Sequence, residues 1–280
     1  MASWPAGDVE VNGLRLHYTR TGGARPPVVL AHGVTDDGLC WTPVAEVLAP
    51  EYDVIMVDAR GHGRSDAPEQ GYGPAEQAAD LAGVIAALGL HRPAVLGHSM
   101  GAVTALALAG TNKDVPGAIL LEDPPAWWMG TWDTSPASEE RQAQMRTRLT
   151  ELKRKTREEL IAEQRAATPT WSEAELGPWA DAKLRFSPSV LSAFNPSTAT
   201  PIAWPAILRR ITCPALLIMA DPARGAIVTE ESAAELQALV PQLRIAHIPE
   251  AGHNIRRDQF DRYMEVVRAF LAEWAATAAS

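Results

Sequence analysis

The pentapeptide Gly97-His98-Ser99-Met100-Gly101 decides how this chain is interpreted. An apolar run at residues 94–97 leads into it, and a run of small and apolar residues at 100–109 follows it. Strand, tight turn and helix in this order, with a glycine on either side of the serine, are typical of a nucleophile that projects above the carboxyl edge of a sheet. Serine is a weak nucleophile at neutral pH. The motif therefore predicts a catalytic Ser99 and requires a base from elsewhere in the chain.

Buried strands and helices alternate on both sides of this pentapeptide. The sequence predicts parallel strands at residues 27–31, 52–58, 94–97, 117–121, 215–220 and 243–248, and helices at 41–49, 74–88, 100–109, 230–239 and 257–274. A hairpin is predicted near the start, where Asn12-Gly13 supplies the positive φ of a tight turn between residues 9–11 and 14–19. This alternation indicates an α/β fold whose mostly parallel sheet is covered by helices on both faces.

Residues 125–205 interrupt the alternation and differ from it in composition. They hold six of the nine tryptophans: Trp127, Trp128, Trp132, Trp171, Trp179 and Trp204. We interpret this stretch as a helical insertion, the cap segment, on a core of residues 1–124 and 206–280. Large aromatic residues either build the core of such an insertion or line an apolar substrate pocket. Trp41, Trp127 and Trp128 are the candidates for the pocket wall.

Charged residues outside the motifs are interpreted mostly as solvated. Asp36 and Asp37 are expected to solvate the loop in which they lie rather than to take part in catalysis. Five arginines fall in the cap segment: Arg146, Arg148, Arg154, Arg157 and Arg165. Most are expected on an exposed helix face beside carboxylate partners. The alternative for one of them is to reach inward and bind a substrate carboxylate.

Four motifs resemble the α/β-hydrolase family, in the order in which that family carries them: His32-Gly33-Val34, Asp58-Ala59-Arg60-Gly61-His62-Gly63-Arg64-Ser65-Asp66, the pentapeptide, and Ala251-Gly252-His253. The resemblance covers nearly the whole chain. It implies an eight-stranded, mostly parallel sheet flanked by helices, with an inserted helical cap. It also implies that His253 is the general base for Ser99. The oxyanion hole would then consist of the backbone N–H groups of Val34 and Met100.

The acid of the implied triad is where the sequence departs from the commoner family pattern. Most members carry the acid two or three residues past a glycine that follows the strand at 215–220; here Ala220 replaces that glycine, and Asp221 comes early. A smaller branch, which includes certain lactonases and the acetamidomethylene-succinate hydrolases, carries the acid after the preceding strand, at Asp123. We favour Asp123 and keep Asp221 as the alternative. The neighbouring Glu122 is expected to point to the other side of the strand.

Composition narrows the partners of the chain. Its 280 residues include 25 Lys+Arg and 34 Asp+Glu, for a net charge of −9, which argues against a nucleic-acid backbone as ligand. The sequence shows neither an apolar run long enough for a membrane helix nor a secretory signal, so a cytoplasmic location is expected. Cys40 and Cys213 fit neither a metal site nor a disulfide framework. We expect a small-molecule substrate, no cofactor, no metal and no membrane partner; oligomeric state is not indicated.

The predicted function is hydrolysis of a small carboxylic ester or lactone, with an amide as a further candidate. Two alternatives stay open. One is carbon–carbon bond hydrolysis, or cofactor-free oxygen chemistry, on the same three residues. The other is a small-molecule receptor on a hydrolase scaffold. Activity on a dienoic diketo acid without ester hydrolysis would favour the first, and a ligand-induced thermal shift without product would favour the second.

Overall fold

The computed structural model describes residues 4–129, 136–194 and 200–278. Its strands form one eight-stranded sheet in the order β1-β2-β4-β3-β5-β6-β7-β8. The strands are β1 (Ala6–Val11), β2 (Leu14–Arg20), β3 (Pro27–Ala31), β4 (Asp53–Val57), β5 (Ala94–His98), β6 (Ala118–Glu122), β7 (Ala215–Met219) and β8 (Leu243–His247). The pairs β1–β2 and β2–β4 are antiparallel, and the other pairs are parallel. The predicted α/β class and the antiparallel hairpin at one edge are confirmed.

Helices cover both faces of the sheet, as its uniformly buried central strands require. The helices are α1 (Thr42–Leu48), α2 (Pro74–Ala87), α3 (Met100–Thr111), α4 (Pro136–Leu152), α5 (Arg157–Ala167), α6 (Glu173–Arg185), α7 (Trp204–Leu208), α8 (Glu230–Leu239), α9 (Ile255–Asp258) and α10 (Phe260–Ala278). Residues of α2, α3 and α8 share one apolar core with one face of the sheet, and residues of α1 and α10 share a second core with the other face.

Two helical predictions differ from the structure in their boundaries. The predicted helix at 41–49 begins as a 3₁₀ turn, Gly38–Trp41, which continues into α1. The predicted helix at 257–274 is in fact two helices, because Gln259 leaves the helical conformation with φ −137° and ψ 59°. The break turns the short helix α9 toward the interior, so that Arg256 and Arg257 become buried.

The cap segment lies between β6 and β7 and contains α4 to α7. A small apolar cluster forms within it from Leu160, Trp171, Leu176, Trp179 and Ala180. Trp204 and Leu208 of α7 belong instead to the apolar core beneath the sheet. The division into residues 1–124 with 206–280 and residues 125–205 stays a prediction. Trp132 lies outside the described residues.

The topology brings the loops that carry the candidate site to one edge of the sheet. Strands β3, β5, β6 and β7 are parallel neighbours, so the residues that follow them leave the sheet at the same end. Gly33 follows β3, Ser99 follows β5 and Asp123 follows β6. Of the helices that the structure describes, none is long and apolar enough to cross a membrane.

Candidate active site

Ser99 sits in a sharp turn between β5 and α3. Its backbone adopts φ 52° and ψ −113°, a conformation that non-glycine residues rarely adopt. The flanking glycines permit this turn: a Cβ atom on Gly97 would lie 2.3 Å from the backbone carbonyl of Gly101, and one on Gly101 would lie 2.1 Å from the carbonyl oxygen of Ala31. The strand–turn–helix geometry predicted from the pentapeptide is therefore present.

His253 is hydrogen-bonded to Asp123. The distance from His253 Nδ1 to Asp123 Oδ2 is 2.6 Å, and the Asp123 side chain is fully buried. A carboxylate only accepts hydrogen bonds, so the proton of the neutral imidazole lies on Nδ1, and Nε2 keeps its lone pair. This is the tautomer that a general base requires.

Backbone amides bind the Asp123 carboxylate from the other side. Ile227 N donates to Asp123 Oδ2 at 2.8 Å, and Val228 N donates to Oδ1 at 2.9 Å. Both amides belong to the loop after β7, the loop in which most relatives carry the acid. In this chain that loop supplies hydrogen-bond donors to an acid on the neighbouring strand.

Asp221 makes a different set of contacts. Its Oδ1 lies 2.9 Å from His247 Nε2, and its Oδ2 accepts a hydrogen bond of 2.8 Å from Glu250 N. The backbone hydrogen bond from Glu250 and the contact with His247 hold the pKa of Asp221 below its usual value. The structure thus pairs His253 with Asp123 and pairs Asp221 with a different histidine.

Val34 and Met100 present free backbone N–H groups. Among the residues that the structure describes, neither amide donates a hydrogen bond to another group. Met100 is the first residue of α3, where the helix leaves its N–H groups unpaired. The peptide that carries the Val34 N–H is held by its carbonyl, because Gly33 O accepts a hydrogen bond of 2.8 Å from His32 Nδ1.

The His32 ring is neutral and of one tautomer. Ala59 N donates to its Nε2 at 3.0 Å, so Nδ1 carries the proton that goes to Gly33 O. Burial, reinforced by the nearby charge of His62, lowers the pKa of His32 to about 3. The support for the Val34 peptide therefore does not change protonation at neutral pH.

A cavity of about 550 Å³ contains Ser99 and His253, with Val34 in its wall. Its apolar lining comes mainly from the cap segment: Leu149, Leu152, Trp171 and Trp179. A volume of this size fits a small organic molecule.

The three tryptophans predicted to line the pocket do not line this cavity. Trp41 is fully buried with the Arg256 guanidinium 4.2 Å from its ring centroid. Trp128 donates from Nε1 to Ser232 O at 3.1 Å and packs in the core beneath the sheet, and Trp127 packs against the same core. Trp171 and Trp179, which the sequence did not single out, line the cavity in their place.

Asp36 and Asp37 are buried instead of solvated, contrary to expectation. Asp36 binds three cations: Lys183 at 2.7 Å, Arg256 at 3.1 Å and Arg257 at 3.0 Å. Burial raises the pKa of Asp36, but the charges of Arg257, Lys183 and Arg256 outweigh it and hold the pKa well below 3.8.

The three cations that bind Asp36 are the functional residues that sequence analysis missed. They lie on α6 and α9, far from Asp36 along the chain. The one local signal was the pair of adjacent aspartates directly after the oxyanion loop.

One of the five cap-segment arginines lines the cavity. Arg148 is exposed at the cavity wall, and it forms no ion pair with any described residue. Arg157 and Arg165 instead pair with Asp181 and Glu173. The described residues also contain no group of three or more His, Cys, Asp or Glu side chains that could hold a metal ion.

Comparison with known proteins places this geometry in context. Residues 28–269 match the sequence pattern of the alpha/beta hydrolase family. N-formylmaleamate deformylase of Pseudomonas putida is 31% identical over 95% of this chain and 96% of that protein. A 2-(acetamidomethylene)succinate hydrolase of Mesorhizobium japonicum is 32% identical over 41% of each chain. The crystal structure of an N-formylmaleamic acid deformylase from Pseudomonas putida superposes with a TM-score of 0.75 at 25% identity, over 94% of this chain and 100% of that one.

Proposed function

Because this chain belongs to the alpha/beta hydrolase family, we propose that it is a serine hydrolase that cleaves a small carboxylic ester, lactone or amide through an acyl-enzyme. The observation that carries the proposal is the 2.6 Å hydrogen bond from His253 Nδ1 to Asp123, with the ring in the cavity that contains Ser99. Catalysis by such a triad needs this tautomer, with Nε2 free to take a proton.

The proposed mechanism uses groups of the chain alone. Ser99 Oγ attacks the substrate carbonyl carbon while His253 Nε2 takes the hydroxyl proton, and Asp123 stabilises the imidazolium. The N–H groups of Val34 and Met100 bind the oxyanion, a contribution whose loss typically costs about 10²–10³ in kcat for one donor. His253 then protonates the leaving oxygen or nitrogen, and a water molecule, activated by the same base, releases the acid.

The unpaired Arg148 supports a substrate that carries a carboxylate. The other cations of the cavity wall already have partners: Lys155 pairs with Glu163, while Lys183 and Arg257 bind Asp36. A guanidinium without a carboxylate partner binds an anionic group in two-pronged fashion. The names of the two relatives, a maleamate deformylase and a succinate hydrolase, point to substrates of this charge.

A matched panel tests the reaction class. We would follow monoethyl succinate, succinamic acid and δ-valerolactone, and the carboxylate-free analogues ethyl butyrate and butyramide, by pH-stat. The expected result is turnover that Ser99→Ala abolishes, with the melting temperature nearly unchanged because a small side chain in the turn is lost. Turnover that persists in Ser99→Ala would overturn the mechanism. Absence of turnover on the whole panel would favour the carbon–carbon, oxygen-chemistry or receptor alternatives.

Arg148→Ala tests the substrate class. We expect kcat/KM for the carboxylate-bearing substrates to fall about 10- to 100-fold, the value of one charge-assisted contact, while ethyl butyrate is unaffected. Arg154→Ala is the matched control, because Arg154 is exposed near the end of the same helix region and does not line the cavity. Equal losses for charged and neutral substrates would reject the assignment of Arg148.

A further inference from the structure

Three successive backbone carbonyls of the loop after β3 are each bound by a basic side chain. Gly33 O accepts from His32 as described, Val34 O lies 2.7 Å from His62 Nε2, and Thr35 O accepts a hydrogen bond of 2.9 Å from Lys183 Nζ. In a planar trans peptide the carbonyl and the following N–H point in opposite directions. Binding these carbonyls therefore determines where the N–H groups of the loop, including that of Val34, are directed.

Lys183 differs from the two histidines because it comes from the cap segment. It lies on α6, 148 residues along the chain from Thr35. Its side chain is 5% exposed, and Nζ contacts both Thr35 O and Asp36 Oδ1, the latter at 2.7 Å. The ring of Trp179, one turn earlier on α6, lies 5.0 Å from Nζ and covers it.

Asp36 joins this lysine to the loop that carries the general base. Its second carboxylate oxygen binds Arg256 and Arg257, which follow His253 by three and four residues. Arg257 in turn binds Glu175 of α6 at 3.0 Å. Helix α6 is thus attached by Lys183 to the oxyanion loop and by Glu175 to the histidine loop.

The buried charges of this cluster are balanced only when α6 is docked. The cations are Lys183, Arg256 and Arg257, and the carboxylates are Asp36, Glu122 and Glu175. A buried charge is costly unless it is paired. Separation of α6 from the core would break the ion pairs of Lys183 and Glu175 together, so docking and charge pairing are one event.

We propose that Lys183 is a positioning residue that couples docking of the cap segment to the geometry of the oxyanion hole. The proposal rests on the proposed function of the site. Lys183 acts through the Thr35 carbonyl and the Asp36 carboxylate, and through them it orients the peptides on either side of Val34. The transition state is stabilised only while α6 is in place.

Lys183→Met tests the proposal, with Lys153→Met as the matched control. Methionine has similar length but no donor, and Asp36 keeps its two arginines, so the fold is expected to survive. Lys153 also lies in the cap segment and donates to two backbone carbonyls, Leu184 O and Phe186 O, but it does not contact the oxyanion loop.

We expect Lys183→Met to lower kcat about 10- to 100-fold, the scale of a small misplacement of catalytic groups. KM should stay within about twofold, and the loss should be the same for monoethyl succinate and ethyl butyrate. The inhibition constant of phenylboronic acid, which binds a serine nucleophile as a tetrahedral adduct, should rise in parallel with the loss of kcat. Lys153→Met should leave all three quantities unchanged. Lys183→Gln, whose amide still donates to Thr35 O, should retain more kcat than the methionine variant.

Two results would overturn the proposal. Wild-type kcat in both Lys183 variants would show that the contact has no role in catalysis. A rise in KM confined to monoethyl succinate would show that Lys183 binds the substrate carboxylate. If Lys183→Met does not fold, as judged by circular dichroism, the glutamine variant alone decides between these outcomes. Failure of the proposed function itself is recognised separately, because wild-type turnover would then be independent of Ser99.

Discussion

Asp123 has a left-handed backbone conformation, with φ 43°, close to the 52° of Ser99. Such a conformation is strained for a residue with a side chain and persists only where the surroundings hold it. Here the carboxylate is held by His253 Nδ1 and by the amides of Ile227 and Val228. These three donors fix its orientation and supply the charge-assisted hydrogen bonds that an ionised, fully buried carboxylate requires.

Comparison of Asp123→Asn with Asp221→Asn tests the assignment of the acid. We expect Asp123→Asn to lower kcat by about 10³- to 10⁴-fold, because an amide favours the wrong imidazole tautomer. Asp221→Asn should leave kcat unchanged, since Asp221 contacts His247 on the half-exposed side of its loop. Steady-state kinetics at saturating substrate provide the measurement. The reverse ordering would assign the acid to Asp221.

At the scale of the element, α6 presents one chemically mixed face to the site. Glu175, Trp179 and Lys183 are spaced by four residues, so they lie along the same side of the helix. All three are buried, although two of them are charged. A helix face of this kind fits a single docking position, because only there do its acid and its base both meet partners.

Asp36→Asn should destabilise the fold, because Asp36 is the shared partner of three buried cations. Loss of one member of a buried charge cluster typically costs about 3–5 kcal/mol. We expect a lower urea midpoint at pH 7 with an unchanged dependence on urea concentration. Since the folded pKa of Asp36 lies well below 3.8, its contribution is present at neutral pH and is lost as the pH falls through that value. An unchanged urea midpoint at pH 7 would show that the cluster adds no net stability.

At the scale of the whole molecule, charge is distributed unevenly. The chain carries a net charge of −9, yet its buried interior beside the cavity holds three cations against three carboxylates. Next to them, Asp37 lies buried against Asp58 and the partly exposed Arg185. Burial and the charge of Asp58 outweigh Arg185 and raise the pKa of Asp37 to about 7. The stability of the molecule is therefore expected to depend on pH in the range where enzymes are usually assayed.

Asp37→Asn isolates this dependence. Between pH 3.8 and about 7 the unfolded chain loses the Asp37 proton while the folded chain keeps it, so this group makes the protein less stable as the pH rises. The variant should gain stability relative to the wild type across that window, by on the order of 2 kcal/mol or more at pH 8. Urea unfolding of both proteins at pH 5 and pH 8 measures the difference. A gap between them that is the same at both pH values would contradict the raised pKa.

Much of the architecture could be predicted from the sequence. The strands, the hairpin and the nucleophile turn depend on local features: apolar periodicity, Asn12-Gly13, and glycines where the backbone of α3 approaches β3 and β5. The placement of Ser99 and His253 at one cavity follows from such motifs together with the order of parallel strands. These are properties of short segments, and the chain states them directly.

Partner choices across the fold were decided only by the tertiary structure. Asp123 and Asp221 leave the same edge of the sheet, and only the paths of the loops after β7 and β8 direct His253 to one and His247 to the other. The association of Asp36 with Lys183, and the replacement of Trp127 and Trp128 by Trp171 and Trp179 at the cavity, likewise depend on how the cap segment docks. Residue type and spacing determine what a side chain is able to bind. Which partner it meets depends on the relative position of segments that lie many residues apart, and that position results from packing of the whole chain.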